Sequence, residues 1–111
     1  MNLLHICLVL LIFLVVGCVA EKYVIQTSSN MEPTIKKGEK IKIEPIDLST
    51  LKENDIVVVK IPQISNPIVT RVIHINKTYD FFIGKGDGNP EPMFWEKQIF
   101  LKYIQAKVVD K

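Results

Sequence analysis

The sequence predicts a small all-β domain, partly closed on itself, behind one N-terminal apolar segment. Six short stretches have the residue types and the period of strands, turn-forming residues separate them, and only two short stretches could be helical. Partial closure limits the exposed edges of such a sheet. The chain of 111 residues holds one domain of this kind. We therefore divide it into residues 1–20, a membrane anchor, and residues 21–111, the β domain.

The predicted strands follow one another at short intervals. They comprise residues 23–27, 40–44, 56–60, 68–75, 79–83 and 103–109. Residues 40–44 (KIKIE) alternate strictly, as in a half-buried strand, whereas residues 56–60 (IVVVK) form a β-branched run typical of a buried one. Asn76-Lys77-Thr78 is predicted to form a turn between two neighbouring strands. Residues 47–51 are predicted to form a single capped helical turn, and residues 94–100 another.

We interpret the apolar segment as a retained transmembrane helix. Residues 1–20 contain no Asp, Glu, Lys or Arg, and a helix of about 20 residues spans the roughly 30 Å core of a bilayer. Two alternatives stay open. A cleaved secretion signal is one, although Lys and Arg are missing before the apolar run. A lipoprotein signal is the other, because residues 15–18 (VVGC) resemble a lipobox in which Cys18 would be acylated.

Composition excludes several classes of function. The chain carries 14 basic and 12 acidic residues, and its net charge of +2 is too small and too dispersed for a nucleic-acid-binding protein. Both cysteines, Cys7 and Cys18, lie in the apolar segment, so residues 21–111 can hold no disulfide and no cysteine-based zinc site. Asp87 and Glu91 share one loop without a second cluster of ligands. We expect no metal and no cofactor.

Five stretches carry a resemblance to a known family. In chain order they are SSNMEPTIKKGEKI from Ser28, ENDIVVV at 53–59, TRVIHI at 70–75, KGDGNPEP at 85–92 and YIQAKVV at 103–109. Together they resemble the successive motifs of type I signal peptidases, and KGDGNPEP is similar to a box of the archaeal and endoplasmic-reticulum branch. The resemblance implies an all-β fold, a single membrane anchor, a domain on the extracytoplasmic side, and cleavage of signal peptides by a Ser nucleophile, a His base and a supporting acid.

The three catalytic roles fall on residues that cannot perform them. The nucleophile position, directly before the motif Met, is Asn30, and the base position, directly before the motif Arg, is Thr70. The acid position is Met93. An amide has no proton to lose at neutral pH, a Thr hydroxyl cannot take up a proton near pH 7, and a thioether cannot orient an imidazole. We expect the three residues to converge at one end of a shallow groove.

Other residues of the motifs are retained. By resemblance, the substrate groove is formed by Ser28, Met31, Pro33 and Arg71, and a structural loop by Gly86, Asp87 and Asn89. Ser28 or Ser29 with His74 could form a displaced dyad. In an extended segment Ser29 would point away from the site, and Ser28 would be displaced by about 6–7 Å. His74, on the same strand face as Thr70, would lie about 13 Å from it, too far for general-base contact.

The sequence thus predicts a membrane-anchored, catalytically inactive relative of signal peptidase I that binds extended peptides by strand addition. Its expected partners are the membrane and a signal peptide, a pre-protein or an active peptidase subunit. An active serine endopeptidase with a displaced dyad is one alternative, and a lipoprotein with the fold alone is another. Phe94, Trp95 and Phe100 either form a membrane-facing patch or pack in the core.

Overall fold

The computed structural model describes residues 21–111, which fold as a seven-stranded antiparallel sheet curled into a half-barrel. The strand order is β1-β2-β7-β3-β4-β5-β6. The strands are β1 (Lys22–Ile25), β2 (Lys40–Glu44), β3 (Ile56–Val59), β4 (Ile68–Asn76), β5 (Phe81–Lys85), β6 (Ile99–Phe100) and β7 (Ile104–Val108). Three short 3₁₀ helices, Leu48–Thr50, Phe94–Lys97 and Leu101–Tyr103, connect them. The all-β prediction is confirmed.

The predicted membrane anchor and Cys18 lie in residues 1–20, outside the described residues. Within residues 21–111, no helix has the length and apolar character needed to cross a bilayer.

All six predicted strands are present, with small shifts at their ends, and the capped turn is confirmed because Asp47 Oδ1 accepts a hydrogen bond of 3.0 Å from Ser49 N. The prediction of one helical turn over residues 94–100 is wrong in its second half. Ile99 and Phe100 form the edge strand β6, paired with Phe82 and Phe81 of β5. Tertiary pairing of two apolar residues here overrides the local pattern.

Strand β3 divides the apolar core into two clusters, one on each face of the sheet. All four of its residues are buried, which is why its sequence is apolar without alternation. Ile56 and Val58 pack with Met31, Ile35, Ile41, Val69, Ala106 and Val108. Val57 and Val59 pack on the opposite face with Leu51, Ile61, Val72, Phe82 and Ile99. Through Met31 and Ile35, the first sequence motif is tied into the first cluster.

A bulge in β4 changes which residues face the core. Val72 pairs with Gly84 but His74 pairs with Ile83, so Ile73 is an extra residue on the β4 side. Thr70 and Val72 are buried, whereas His74 is exposed and the half-buried Ile75 returns to the second cluster. The expectation that His74 shares a face with Thr70 is therefore wrong, because strict alternation does not continue across a bulge.

Candidate functional site

The segment that carries the nucleophile position is a turn and not an extended strand. Glu32 N donates to Ser29 O at 3.1 Å, and Ile35 N donates to Met31 O at 2.9 Å. Ser, Asn and Pro are turn-forming residues, and their density here explains the conformation. The expected alternation of Ser28 and Ser29 across two faces is therefore wrong. Instead of being displaced from the site, the Ser28 hydroxyl donates to Asn30 Oδ1 at 2.5 Å.

Asn30 uses its side-chain amide to join the segment that follows β1 to β4. Its Nδ2 donates to the carbonyl of Val69 at 2.8 Å, directly before Thr70 in the chain. Its Oδ1 accepts from Gln26 Nε2 at 2.9 Å as well as from Ser28. These contacts fix the amide against β4, so that Asn30 acts as a hydrogen-bonded link.

Thr70 is fully buried, and its hydroxyl is bound to a carboxyl group that the sequence reasoning missed. Thr70 Oγ1 donates to Glu96 Oε2 at 2.5 Å, and Glu96 is also fully buried. Glu96 Oε1 accepts from Met93 N at 3.0 Å. Gly84 leaves room for this pair, since a Cβ at that position would lie 2.8 Å from Thr70 Oγ1. The Thr70–Glu96 pair fills the base position, which is therefore inaccessible to solvent.

The sequence contained half of a capping-box signal for Glu96, because the Glu has the right spacing but Met93 is not a usual N-cap residue. A Glu three residues after a helix N-cap commonly turns back to the N-cap N–H, and Met93 and Glu96 have that spacing around Phe94–Lys97. The Met93 side chain itself is 46% exposed. The acidic group next to Thr70 therefore comes from position 96, and Met93 contributes its backbone N–H.

The retained motif residues form a polar clamp centred on Asp87. Arg71 donates twice to this carboxylate, from Nε to Oδ1 and from Nη2 to Oδ2, both at 2.7 Å. Thr34 Oγ1 donates to Asp87 Oδ2 at 2.6 Å. Arg71 Nη1 also donates to Asn54 O at 2.8 Å. Arg71 thus forms a bidentate pair with Asp87, and the contacts of these two residues join four of the motifs.

The loop that begins at Gly86 packs directly on the nucleophile position. Gly88 N donates to the carbonyl of Asn30 at 2.8 Å, and Asn89 N donates to Gly86 O at 3.0 Å. A Cβ on Gly86 would lie 2.5 Å from the same Asn30 carbonyl. The loop therefore needs a glycine where the two backbones approach.

The clamp predicts an acid-sensitive contribution to stability. The hydrogen bonds from Arg71, and then that from Thr34, hold the pKa of Asp87 below its ordinary value. A carboxyl group whose pKa is lower in the folded state stabilises the fold above its unfolded pKa of about 3.9, and that stability is lost as pH falls through the folded pKa. We expect Asp87→Asn to be less stable than the wild type at pH 7, and to approach the stability of the wild type as pH falls below the unfolded pKa of about 3.9 and through the lower folded pKa. Urea unfolding across pH 2–7 measures this; parallel curves for the two proteins would contradict it.

A groove lies between the open edges of β1 and β4, next to Asn30. It holds a cavity of about 210 Å³ lined by Val24, Ile25, Gln26, Thr27, Val58, Asn66, Pro67 and Val69. A second cavity of about 180 Å³, which shares Val24, Val58 and Pro67, continues it toward Lys22. Among residues 21–111, β1 pairs only with β2, and the start of β4 pairs only with β3. Both walls of the groove are therefore sheet edges.

The open edge of β1 can be assigned residue by residue. Gln26 uses its backbone N–H and C=O toward Glu39 and Gly38, on the β2 side. Because backbone groups alternate along a strand, those of Ile25 and Thr27 point the other way, into the groove. Ile25 also exposes 58% of its side chain there.

The residues predicted for the groove lie in different places. Ser28 is exposed beside Asn30, and Pro33 is exposed on the turn. Met31 has no exposed surface and packs in the first core cluster with Val58 and Val69, so its predicted place on the groove surface is wrong. Met31 packs beneath the residues that line the groove, because the turn directs its side chain inward. Arg71 is bound in the Asp87 clamp.

The displaced-dyad residues are not brought together. His74 Nδ1 lies 3.8 Å from Glu53 Oε1, and both side chains are about 60% exposed. Ser29 is exposed, with its carbonyl in the turn to Glu32. Ser28 is bonded to Asn30.

The described residues thus form an all-β half-barrel with an open groove between two strand edges and the motif turn beside it. A family model described as "Signal peptidase, peptidase S26" matches residues 1–76. The chain therefore belongs to the signal peptidase family, as the motifs predicted. The match covers Asn30 and Thr70, whereas the Asp87 loop and Glu96 follow it. No curated protein matched the chain.

Proposed function

We propose that this chain is a non-cleaving member of the signal peptidase family that holds extended peptides in the groove between β1 and β4. One observation carries the proposal: the groove is open, while the amide of Asn30 and the buried Thr70–Glu96 pair occupy the two positions where the family resemblance places the nucleophile and base.

The contacts of these two positions support a loss of chemistry. The amide of Asn30 binds β4 and supplies no nucleophile. The hydroxyl of Thr70 has no exposed surface from which to reach a substrate or a water molecule. A general base must come within about 3 Å of the proton that it removes.

The groove supports retention of peptide binding. The edge groups of Ile25 and Thr27 can pair with the backbone of an extended peptide, as in strand addition. The apolar side chains of Val24, Val58 and Val69 offer a floor for small or apolar side chains. Peptide binding through these groups requires no catalytic residue. A signal peptide, the segment of a pre-protein that contains one, or a strand of a peptidase subunit would fit this chemistry.

We further propose that residues 1–20 stay attached as a single-pass anchor with the β domain on the extracytoplasmic side. This rests on their uncharged sequence and on the family. Mass spectrometry of the purified protein distinguishes an intact N-terminus from a chain that begins at an acylated Cys18.

Peptide binding is tested by a substitution that removes one backbone donor. Ile25→Pro deletes the N–H at the open edge, and Pro is tolerated on edge strands. Ile25→Ala, the matched control, shortens the same side chain and keeps the N–H. We expect Ile25→Pro to weaken binding of a labelled signal peptide by about tenfold more than Ile25→Ala, which corresponds to about 1.4 kcal/mol for one hydrogen bond.

The measurement is fluorescence anisotropy with the full chain in detergent, and thermal unfolding of both variants confirms that they are folded. Equal affinities of the Pro and Ala variants would show that the peptide does not pair with β1. If the wild type does not bind the labelled peptide, the proposal that the groove holds extended peptides is contradicted.

A further inference from the structure

The sequence contains one acceptor triplet for N-linked glycosylation, Asn76-Lys77-Thr78. Each of the other asparagines in the sequence lacks a Ser or Thr two residues later. An Asn-x-Thr triplet is modified when it lies on the surface of a protein that leaves the cytoplasm. The structure places the triplet where β4 turns into β5, because Asn76 is the last residue of β4 and the turn follows it.

The turn presents the triplet to solvent. All four residues from 77 to 80 are exposed, and Tyr79 exposes 70% of its surface. Asn76 is half-buried and pairs with Phe81 across the hairpin. Its side chain forms two hydrogen bonds within residues 21–111, and Oδ1 accepts both, from Thr78 N at 3.0 Å and from Tyr79 N at 3.1 Å. The nitrogen Nδ2, which would carry the sugar, is not engaged by either bond.

We propose that Asn76 is an N-glycosylation site that receives one oligosaccharide from a lipid-linked donor. The proposal rests on the extracytoplasmic placement of the β domain proposed above, because such a transfer takes place on that side of the membrane. Two independent observations carry it: the single acceptor triplet of the sequence, and its position on an exposed hairpin turn with Nδ2 unengaged.

The reaction leaves the turn intact. Asn76 Nδ2 forms a bond to the anomeric carbon of the sugar, and the bond from that carbon to the phosphate oxygen of the lipid carrier breaks. The phosphate keeps the electron pair of the broken bond, and a proton of Nδ2 passes to a base of the transferase. The product is still an amide, so Oδ1 can accept from Thr78 N and Tyr79 N as before. The turn that the sequence predicted and the modification are therefore compatible.

A glycan at Asn76 would leave the peptide groove open. Val69, which lines the groove, lies near the start of β4, whereas Asn76 ends the same strand. The intervening residues span roughly 20 Å at the rise of a β-strand. We therefore expect the glycosylated and unglycosylated forms to bind the labelled signal peptide with equal affinity.

The test is synthesis of the full-length protein in the presence of microsomes that contain oligosaccharyltransferase, followed by electrophoresis with and without peptide N-glycosidase. We expect the wild type to carry one glycan that the glycosidase removes. Thr78→Val keeps the shape of the side chain without its hydroxyl and should lose the glycan. Thr78→Ser, the matched control, keeps the hydroxyl and should still be modified. Neither change touches Asn76, whose Oδ1 can still accept from the backbone N–H of residue 78.

A reference site separates this proposal from the placement of the domain. It is a version of the chain extended beyond Lys111 by a flexible spacer and an Asn-Ser-Thr triplet, which should carry two glycans. One glycan on this version and none on the wild type would overturn glycosylation of Asn76 while the extracytoplasmic placement stands. No glycan on either would overturn both. A glycan that persists in Thr78→Val would show that another residue is modified.

Peptide binding by the glycosylated wild type and by Thr78→Val completes the test. Weaker binding by the glycosylated form would contradict the position of the glycan away from the groove. Absence of binding by both forms, with Asn76 glycosylated, would contradict the peptide-binding function and leave the glycosylation site established.

Discussion

Asn30→Ser and Thr70→His, introduced together, are expected to produce cleavage of a pre-protein, whereas either change alone leaves the chain without detectable activity. A Ser hydroxyl without a base has a pKa far above 7 and is a weak nucleophile. An imidazole without a nucleophile does nothing in this reaction. Because such residues act as a unit, the gain from the pair should exceed the product of the single changes by several powers of ten.

Glu96 makes the expected result more specific. It now accepts the hydrogen bond from Thr70 at 2.5 Å, and Met93 N holds its second oxygen. An imidazole at position 70 would therefore find an acid already in place. We expect Glu96→Gln to lower the activity of the double variant by at least about a hundredfold. Met93→Asp should add little, because the Met93 side chain points toward solvent.

The assay is release of the mature product from a pre-protein in detergent, with all variants compared at equal concentration. Histidine is larger than threonine, and its insertion costs about 1–3 kcal/mol in a packed site. Thermal unfolding therefore accompanies each assay. A double variant that is folded and binds peptide but does not cleave would contradict the assignment of positions 30 and 70.

Thr70→Val is expected to have the largest effect on stability of any single change at the site. Valine has nearly the same shape but no hydroxyl, so Glu96 Oε2 would lose its donor in a fully buried place. A buried polar group left without its partner costs about 1–3 kcal/mol, and more if it is charged. Thr70→Ser keeps the hydroxyl and is the matched control. Urea unfolding measures both.

A second substitution tests whether the unpaired carboxyl group of Glu96 causes the loss of stability in Thr70→Val. Adding Glu96→Leu to Thr70→Val removes the unpaired group, so the double variant should be more stable than Thr70→Val alone. If Thr70→Val and Thr70→Ser are equally stable, the hydrogen bond to Glu96 contributes nothing. If Glu96→Leu does not recover stability, packing and not the unpaired carboxyl group explains the loss.

Most of the fold could be predicted from the sequence because its strands have clear local patterns. Residues 40–44 alternate, residues 56–59 are β-branched throughout, and Asn76 begins a turn in which its Oδ1 accepts from Thr78 N and Tyr79 N. Strand β6 was missed because its two residues are defined only by pairing with Phe81 and Phe82. The bulge at Ile73 likewise depends on the partner strand. Such non-local features leave no periodic signal.

The candidate site could be predicted in part, for the same reason. The motif order led to Asn30, Thr70 and Met93. Asn30 Nδ2 bonds the carbonyl directly before Thr70, and Met93 N bonds Glu96, the partner of Thr70, but the Met93 side chain is exposed. For Ser28 and Ser29 the sequence allowed both an extended segment and a turn, because the two patterns compete in a short polar stretch, and the structure has the turn. Glu96 was overlooked because its function depends on Thr70, which lies 26 residues away in sequence.

Incubation of the unmodified full-length protein with a pre-protein in detergent, followed by mass spectrometry of the products, tests the central claim most directly. We expect the pre-protein to stay intact while its signal peptide region competes with a labelled peptide for the groove. Cleavage needs a nucleophile and a base, and Asn30 and Thr70 provide neither. Cleavage at a single site, abolished by Ser28→Ala, Ser29→Ala or His74→Ala, would contradict this account and show an active enzyme with a displaced dyad.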